Sequence, residues 1–224
     1  MIDHSSPPGV ATKLQILATE HWSLLATRSL TYTESLGRVS VFLAILSGAV
    51  IALALVAPAD HFGPAFIAIA IFLLSVVLFT GMATIARLNQ LNSDDYRWVL
   101  GMNRLRNAYL ALHPELEPHF ITSPYDDLAG ALRTLGVDVT AGRGLGSALH
   151  LFQTLPGMLS VIVAAVAGAI GALVALAFAV APVGVVLAGG VAFAVAVALM
   201  GLVGRRSVRR LDPNLEPRFP SPRA

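Results

Sequence analysis

The sequence contains no cysteine, which excludes disulfide bonds, thiolate catalysis and cysteine-based metal sites. Charge is also scarce, because Asp, Glu, Lys and Arg make up only 12% of the chain, against about 25% in soluble globular domains. Apolar residues instead reach 56%, and the mean hydropathy is +0.74. These values predict that much of the chain is surrounded by lipid rather than by water.

Three stretches contain no charged residue: 39–57, 64–86 and 154–204, with 19, 23 and 51 residues. One membrane span needs about 20 residues, so the longest stretch is predicted to hold two spans and a turn. The turn is placed at residues 181–184, Ala-Pro-Val-Gly, because proline ends a helix and glycine eases a reversal. The alternative is that the last pair forms re-entrant half-spans. The predicted fold is an all-α polytopic membrane protein with four transmembrane helices in two hairpins.

The basic residues predict the orientation of these spans. All fifteen Lys and Arg lie before the first span, between the second and third, or after the fourth. The positive-inside rule therefore places both termini and the central region in the cytoplasm, where we expect a helical bundle. The first ten residues hold an aspartate but no Lys or Arg, so no cleaved signal peptide is expected. Fourteen arginines against one lysine are typical of a GC-rich bacterial genome, hence a bacterial plasma (inner) membrane.

Five regions follow from these boundaries: an N-terminal tail and juxtamembrane helix (1–38), a first hairpin (39–86), a cytoplasmic helical region (87–153), a second hairpin (154–204) and a basic, proline-rich tail (205–224). Residues 10–36 read as a helix that either continues into the first span or breaks at Gly37. Beyond Asp212 the prolines predict an irregular or disordered end.

The central region carries a heptad stripe of apolar residues. Four polar residues, 92–95 (Asn-Ser-Asp-Asp), resemble a helix N-terminal cap, although an unbroken helix from the second span through residue 112 is the alternative. Arginines off the stripe (Arg97, Arg104 and Arg106) are expected to face solvent or lipid headgroups. The stripe packs either on the N-terminal helix of the same chain or on the same helix of a neighbouring subunit. Its members are Trp98, Met102, Leu105, Tyr109 and Leu112.

Three shorter motifs contain residue types that also occur in metal, helix-cap or phosphate sites. Residues 113–119 (HPELEPH) hold two His and two Glu, but their spacing favours a surface turn over a metal site. Residues 123–136 predict a short helix that starts at Ser123 or Pro124 and ends at Gly136. Residues 142–148 (GRGLGSA) follow no strand pattern, so they predict a flexible link rather than a phosphate loop. No cofactor and no metal are expected.

The predicted spans contain no Asp, Glu, Lys, Arg or His, which argues against an ion-coupled pump but allows a passive pore. Hydroxyl groups either line such a pore or bond to their own helix backbone; these are Ser40, Ser47, Ser75, Thr80 and Thr84. Small residues recur at every fourth position around Gly48, Gly168 and Gly190, a pattern that lets helices approach closely in lipid.

Two stretches, "TEHWSLLATRSLTYTESLGRVSVFLAILSGAV" and "MNRLRNAYLALHPELEPHF", resemble a group of bacterial integral membrane proteins over most of residues 13–135. More loosely, a juxtamembrane helix, a hairpin and a cytoplasmic helix are similar to the SLATT family of membrane effectors. That resemblance implies pore formation in bacterial conflict systems. The second hairpin departs from the family's two-span pattern.

Two functions are therefore predicted. The first is a passive homo-oligomeric channel with a cytoplasmic helical vestibule, whose inner mouth prefers anions because it carries Arg38, Arg87, Arg205 and Arg206. The alternative is a membrane scaffold whose cytoplasmic bundle binds a protein partner without transport. An enzyme is not expected, since no nucleophile–base pair or carboxylate dyad is visible. The predicted partners are membrane lipid, further copies of the chain or a cytoplasmic protein, and not nucleic acid.

Overall fold

A computed structural model describes residues 9–59, 61–136, 154–209 and 216–222 of the 224-residue chain. Within these ranges helices are the only regular secondary structure and no strand occurs, so the all-α prediction is confirmed. The elements are α1 (Val10–Ala59), α2 (Pro64–Leu112), a 3₁₀ helix (Pro114–His119), α3 (Leu128–Thr134), α4 (Leu155–Ala177) and α5 (Pro182–Arg209).

Four of these helices are long and apolar enough to cross a membrane. The most apolar windows of α1, α2, α4 and α5 have mean hydropathies between 2.5 and 2.7. Composition and length thus confirm a multi-pass protein with four candidate spans.

Helices α1 and α2 each continue far beyond the length of one span, with 50 and 49 residues. The predicted helix cap at residues 92–95 is wrong, because α2 passes through it without interruption. No glycine or proline lies between residues 82 and 100 to break the helix. Asp95 accepts hydrogen bonds from the Arg28 side chain instead. Gly37 likewise does not break α1.

The turn between α4 and α5 lies earlier than predicted. Helix α4 ends at Ala177 and α5 begins at Pro182, so the reversal occupies residues 178–181 rather than 181–184. Proline suits the first position of a helix, where its missing N–H has no intrahelical partner to lose. Ala179 takes the left-handed conformation that the reversal needs, with φ of 51°.

The chain divides into two compact units. We call the described residues of Met1–Thr33, Asn92–Gly144 and Asp212–Ala224 the polar unit. Those of Glu34–Leu91 and Leu145–Leu211 form the apolar unit. The polar unit therefore joins three segments that are far apart in sequence.

The core of the apolar unit brings α1, α2 and α4 together. Phe42, Val77, Leu88, Leu159 and Val163 have at most 1% of their surface exposed. A Cβ atom on Gly81 would lie 2.5 Å from Val163 and 2.9 Å from Phe42. The absence of a side chain at Gly81 therefore allows these larger residues to pack against α2.

Helices α4 and α5 approach through small residues. A Cβ atom on Gly168 would lie 3.1 Å from the carbonyl oxygen of Gly189 and 3.2 Å from the Cβ of Phe193. The structure thus places Gly168 in the contact, opposite Gly189 rather than Gly190. Added Cβ atoms on Gly190 and Gly48 would meet no other described atom within 4 Å.

Replacing Gly171 with alanine is expected to push α4 and α5 apart. The new Cβ would lie 2.7 Å from the Cβ of Ala192 and 3.0 Å from the carbonyl oxygen of Ala188, so backbone must move. Overpacking of this kind costs about 1–3 kcal/mol. The midpoint of thermal unfolding in detergent, followed by circular dichroism, should fall, whereas the matched variant Gly190→Ala should keep or raise it. Equal midpoints for both variants would contradict this packing.

Candidate functional site

The hydrophobic core of the polar unit is built around the C-terminal half of α2. Val99, Leu100 and Met102 are at most 2% exposed, and Ala131 of α3 is fully buried beside them. Leu24 of α1 packs against this cluster. Of the predicted stripe, Met102 lies in this core, and the other members are partly buried.

An apolar groove runs between α1 and α2 within this unit. Trp98 and Leu105 of α2 line one part, of about 410 Å³, together with Leu24 and Glu20 of α1. The adjoining part, of about 590 Å³, shares Glu20 and Leu105. We define the apolar groove by its main lining side chains: Ile16, Leu17, Glu20, Leu24, Trp98 and Leu105.

A glycine allows the two helices to meet at the floor of the groove. Gly101 lies between Trp98 and Leu105 on α2, and a Cβ there would be 3.0 Å from Cδ1 of Leu24. Sequence reasoning did not identify this glycine. Its spacing of three from Trp98 and four from Leu105, which puts all three on one helix face, was the signal that would have identified it.

Two aromatic contacts extend this packing along α2. The Tyr109 ring stacks on His21 of α1 at a centroid distance of 6.0 Å and on Phe120 at 6.4 Å. Leu112 is the last residue of α2 and is half-buried. The structure therefore brings Trp98, Leu105 and Tyr109 of the stripe to α1 of the same chain.

A buried polar network ties α2 to Tyr125 and to Thr134 of α3. Asn103, which is fully buried, donates to the carbonyl oxygen of Tyr125 at 2.7 Å. Its side-chain oxygen accepts from Arg106 at 2.7 Å and from the Thr134 hydroxyl at 3.0 Å. The expectation that Arg106 faces solvent or headgroups is therefore wrong. It is only 9% exposed, because Asn103 supplies a buried acceptor for its guanidinium.

Arg104, which was also expected to face solvent or lipid headgroups, forms an ion pair with a buried carboxylate. Its Nε donates to the Asp126 carboxylate at 2.6 Å, and the Asp126 side chain is fully shielded from solvent. The remaining arginine, Arg97, forms an exposed ion pair with Asp94 at 3.6 Å. A surface pair of this kind contributes little to stability.

Asp126 and its neighbour Asp127 hold the C-terminal segment, and we call this pair the aspartate clamp. Asp126 accepts from the backbone N–H of Arg218 at 3.0 Å and of Phe219 at 2.7 Å. Its own N–H donates to the carbonyl oxygen of Phe219 at 3.1 Å. Asp127 accepts from the N–H of Ser221 at 2.8 Å and from its hydroxyl at 2.9 Å. Of the two forms predicted for this end, irregular or disordered, the irregular one is confirmed for residues 216–222, because these hydrogen bonds hold a segment without regular secondary structure.

The clamp also sets the start of α3. Asp127 caps the helix by accepting from the N–H of Gly130 at 2.7 Å, so α3 begins at Leu128 and not at Ser123 or Pro124. Ser123 instead forms a turn, in which its hydroxyl accepts from the N–H of Tyr125. Gly136 follows the helix end, as predicted, with φ of 70°.

The clamp is predicted to release the C-terminal segment only in strong acid. Burial raises the pKa of Asp126, but the N–H groups of Arg218 and Phe219 and the Arg104 guanidinium outweigh burial and hold the pKa below 3.8. Burial also raises the pKa of Asp127, but the N–H groups of Gly130 and Ser221 outweigh it, so the pKa of Asp127 is lowered as well. The ordinary pKa of an aspartate is 3.8. Above that pH the ionised carboxylates stabilise the folded state fully, and this stabilisation is lost as the pH falls through their lowered pKa values.

Because the chain has no cysteine, a Pro222→Cys variant allows a single dye to report on this release. Its fluorescence anisotropy should stay constant from neutral pH down to about pH 4 and fall below it. The same dye on an Asp126→Asn background should show the low value throughout. A fall near pH 6 in the parent would contradict the assignment to these carboxylates.

The predicted pore residues lie in the apolar unit. Glu34 binds both Arg38, at 2.8 Å, and Arg87, at 2.9 Å, so this group of three carries one net positive charge. Ser75 and Thr84 donate to backbone carbonyls of their own helix, and so does Thr80. Ser40 and Ser47 are exposed. The side chains of Arg205 and Arg206, and residues 142–148, lie outside the described part of the chain.

Residues 114–119 form a 3₁₀ helix, and His113 contacts Glu115 at 2.9 Å. Within the described ranges, no group of three or more His, Cys, Asp or Glu is placed to hold a metal ion.

Comparison with known proteins adds no relative: no family model, no curated protein and no solved structure matches this chain.

Proposed function

We propose that the protein is a membrane-anchored scaffold whose polar unit binds a protein partner in the apolar groove, without transport. The observation that carries this proposal is the groove itself. Ile16 and Leu24 of α1 and Trp98 and Leu105 of α2 line it with apolar side chains. Concave apolar surfaces with a few polar groups are the usual form of a binding site.

The partner that fits this groove is an amphipathic helix. Grooves between two helices accept apolar anchors at positions i, i+3, i+4 and i+7 of a third helix. Glu20 lies where the two parts of the groove meet. Arg97 and Arg104 also line the first part, but they are paired with Asp94 and Asp126. The proposal therefore includes a Lys or Arg of the partner beside the Glu20 carboxylate. A charge at this position selects the partner and its orientation more than it adds affinity.

The polar unit supports binding because its walls are held in place. Arg28 of α1 donates to the Asp95 carboxylate of α2 at 2.7 and 3.3 Å, which is a bidentate pair. The Tyr109–His21 stack lies further along the same two helices. Walls that are already ordered lose little conformational entropy on binding, and this preserves affinity.

Introducing charge into the groove tests the proposal. The full-length Leu105→Glu variant should recover the partner from solubilised native membranes about tenfold less well, which corresponds to about 1.4 kcal/mol of lost binding free energy. The matched control is Ile121→Glu, since Ile121 belongs to the polar unit and is 98% exposed. Quantitative mass spectrometry of the co-purified proteins provides the readout. Unchanged recovery with Leu105→Glu, at an unchanged unfolding midpoint, would reject the groove as the binding site.

A homo-oligomeric passive channel is the second candidate, favoured by a different observation. Gly48 and Gly190 lie on helix faces with open space around them, and such small-residue faces suit helix association in lipid. The SLATT resemblance points the same way. The ion pairs of Glu34 with Arg38 and Arg87 reduce the anion preference expected of a basic inner mouth. A cyclic oligomer that conducts ions in liposomes would support the channel, and a non-conducting monomer would reject it.

With either function, we propose a bacterial inner membrane with both termini in the cytoplasm, because the Lys and Arg residues lie outside the apolar spans and on one predicted side of them. The polar unit then faces cytoplasmic proteins. Neither proposal includes a catalytic role.

A further inference from the structure

We propose that the aspartate clamp is a peptide-binding site, and that residues 216–222 of the chain are its resident, displaceable ligand. The competing ligand is an extended peptide segment with the same pattern of donors. This inference concerns a different surface from the apolar groove and does not depend on a partner there.

The donors and the prolines of the segment alternate in the way that the clamp requires. The clamp receives N–H groups from Arg218, Phe219 and Ser221. Pro217 and Pro220 stand between or beside these donors, at positions where no N–H is used. Proline has no N–H to leave unpaired and favours an extended backbone. The segment is therefore preorganised for two carboxylates in this order.

Both carboxylates of the clamp are held in position by neighbouring groups, as a binding site requires. The Asp126 side chain is fully shielded from solvent and is held by Arg104, while Asp127 is fixed by capping α3. Arg104 also donates to the carbonyl oxygen of Glu216 at 3.2 Å. The Ser221 hydroxyl adds a side-chain contact at 2.9 Å. The site thus contacts three features of one peptide: the carbonyl of Glu216, the N–H groups of Arg218 and Phe219, and the N–H and hydroxyl of Ser221.

The bound segment has the properties of a displaceable ligand. Residues 216–220 keep much of their surface exposed although their backbone is bound, and Phe219, their one large apolar side chain, is itself 38% exposed. Charge-assisted hydrogen bonds to the two carboxylates supply the attraction. A tethered segment faces its site at an effective concentration of the order of millimolar. Stable occupancy then requires an intrinsic dissociation constant below about 1 mM.

The test uses a full-length variant whose own segment has lost three of its four hydrogen bonds to the clamp carboxylates. Phe219→Pro with Ser221→Pro removes two of the backbone donors and the hydroxyl while the clamp stays intact. A dye-labelled peptide with the sequence of residues 216–222 is then titrated, and its anisotropy is followed. We expect saturable binding with a dissociation constant below about 1 mM, and at least about tenfold weaker apparent binding to the unmodified protein, whose own segment competes.

Two controls keep the outcome specific. Adding Asp126→Asn and Asp127→Asn to the vacated variant should abolish peptide binding, and a peptide carrying Ser221→Ala should bind more weakly than the parent peptide. Absence of binding to the vacated variant up to several millimolar would overturn the proposal, provided that its circular dichroism and unfolding midpoint match those of the Asp126→Asn protein. Equal binding with and without the clamp carboxylates would also overturn it. Neither result bears on the groove, which Leu105→Glu tests separately.

Discussion

Replacing Asp126 with alanine is expected to destabilise the polar unit by about 3 kcal/mol and to release residues 216–222. The substitution leaves the Arg104 guanidinium and the N–H groups of Arg218 and Phe219 without their carboxylate. Removing one partner of a buried ion pair typically costs 3–5 kcal/mol. We take the lower end because the Arg104 side chain is 28% exposed and water screens its charge.

Hydrogen–deuterium exchange of the full-length protein measures the release directly. The amides of Arg218, Phe219 and Ser221 should lose their protection in Asp126→Ala. The matched control is Asp94→Ala, because the ion pair of Asp94 with Arg97 is exposed and 3.6 Å long; it should change stability by less than about 0.5 kcal/mol. Retained protection of Arg218 and Phe219 in Asp126→Ala would show that other contacts hold the segment.

Replacing Gly130 with alanine is expected to unfold the region around α3, with a cost of about 3 kcal/mol or more. The added Cβ would lie 2.2 Å from the carbonyl oxygen of Tyr125, which is backbone and not a flexible side chain. That carbonyl is fixed, since it accepts from the fully buried Asn103. Relief of the clash therefore breaks the hydrogen bond of Asn103 or the Asp127 cap.

The unfolding midpoint in detergent and the exchange of α3 amides test this second expectation. Gly37→Ala is the matched control, because Gly37 lies within α1 and an added Cβ meets nothing within 4 Å. Alanine there should be neutral or raise stability by up to about 1 kcal/mol through its helix propensity. If Gly130→Ala unfolds at the temperature of the parent protein, the tight packing of α3 on residue 125 is refuted.

The four spans were predictable from sequence because lipid imposes a simple rule. A span needs about 20 apolar residues, and the uncharged stretches at 39–57, 64–86 and 154–204 satisfy it without reference to the rest of the chain. The ends of the helices were less predictable from the sequence than the spans. Residues 92–95 have the composition of an N-terminal cap, yet α2 passes through them, since an N-cap sequence begins a new helix only where the residue itself has a non-helical backbone.

The polar unit was less predictable because its contacts join distant residues. Asp126 and the Arg218 N–H are 92 residues apart, and Arg28 and Asp95 are 67 apart. A local pattern contains no information on such pairs, so Arg104 and Arg106 read as surface charges. Gly101 and Gly130 were missed for the same reason. Each is required by a close neighbour that only the tertiary fold brings to it.

The scaffold proposal is tested most directly by photo-crosslinking from the groove in native membranes. A photoreactive amino acid replaces Leu105 in the full-length protein, and Ile121 serves as the exposed reference position. We predict an adduct with a different protein, mapped to an amphipathic helix that carries a basic residue, and weakened by Glu20→Lys in the same chain. Adducts only between two copies of this chain, or the same adducts from positions 105 and 121, would contradict the account.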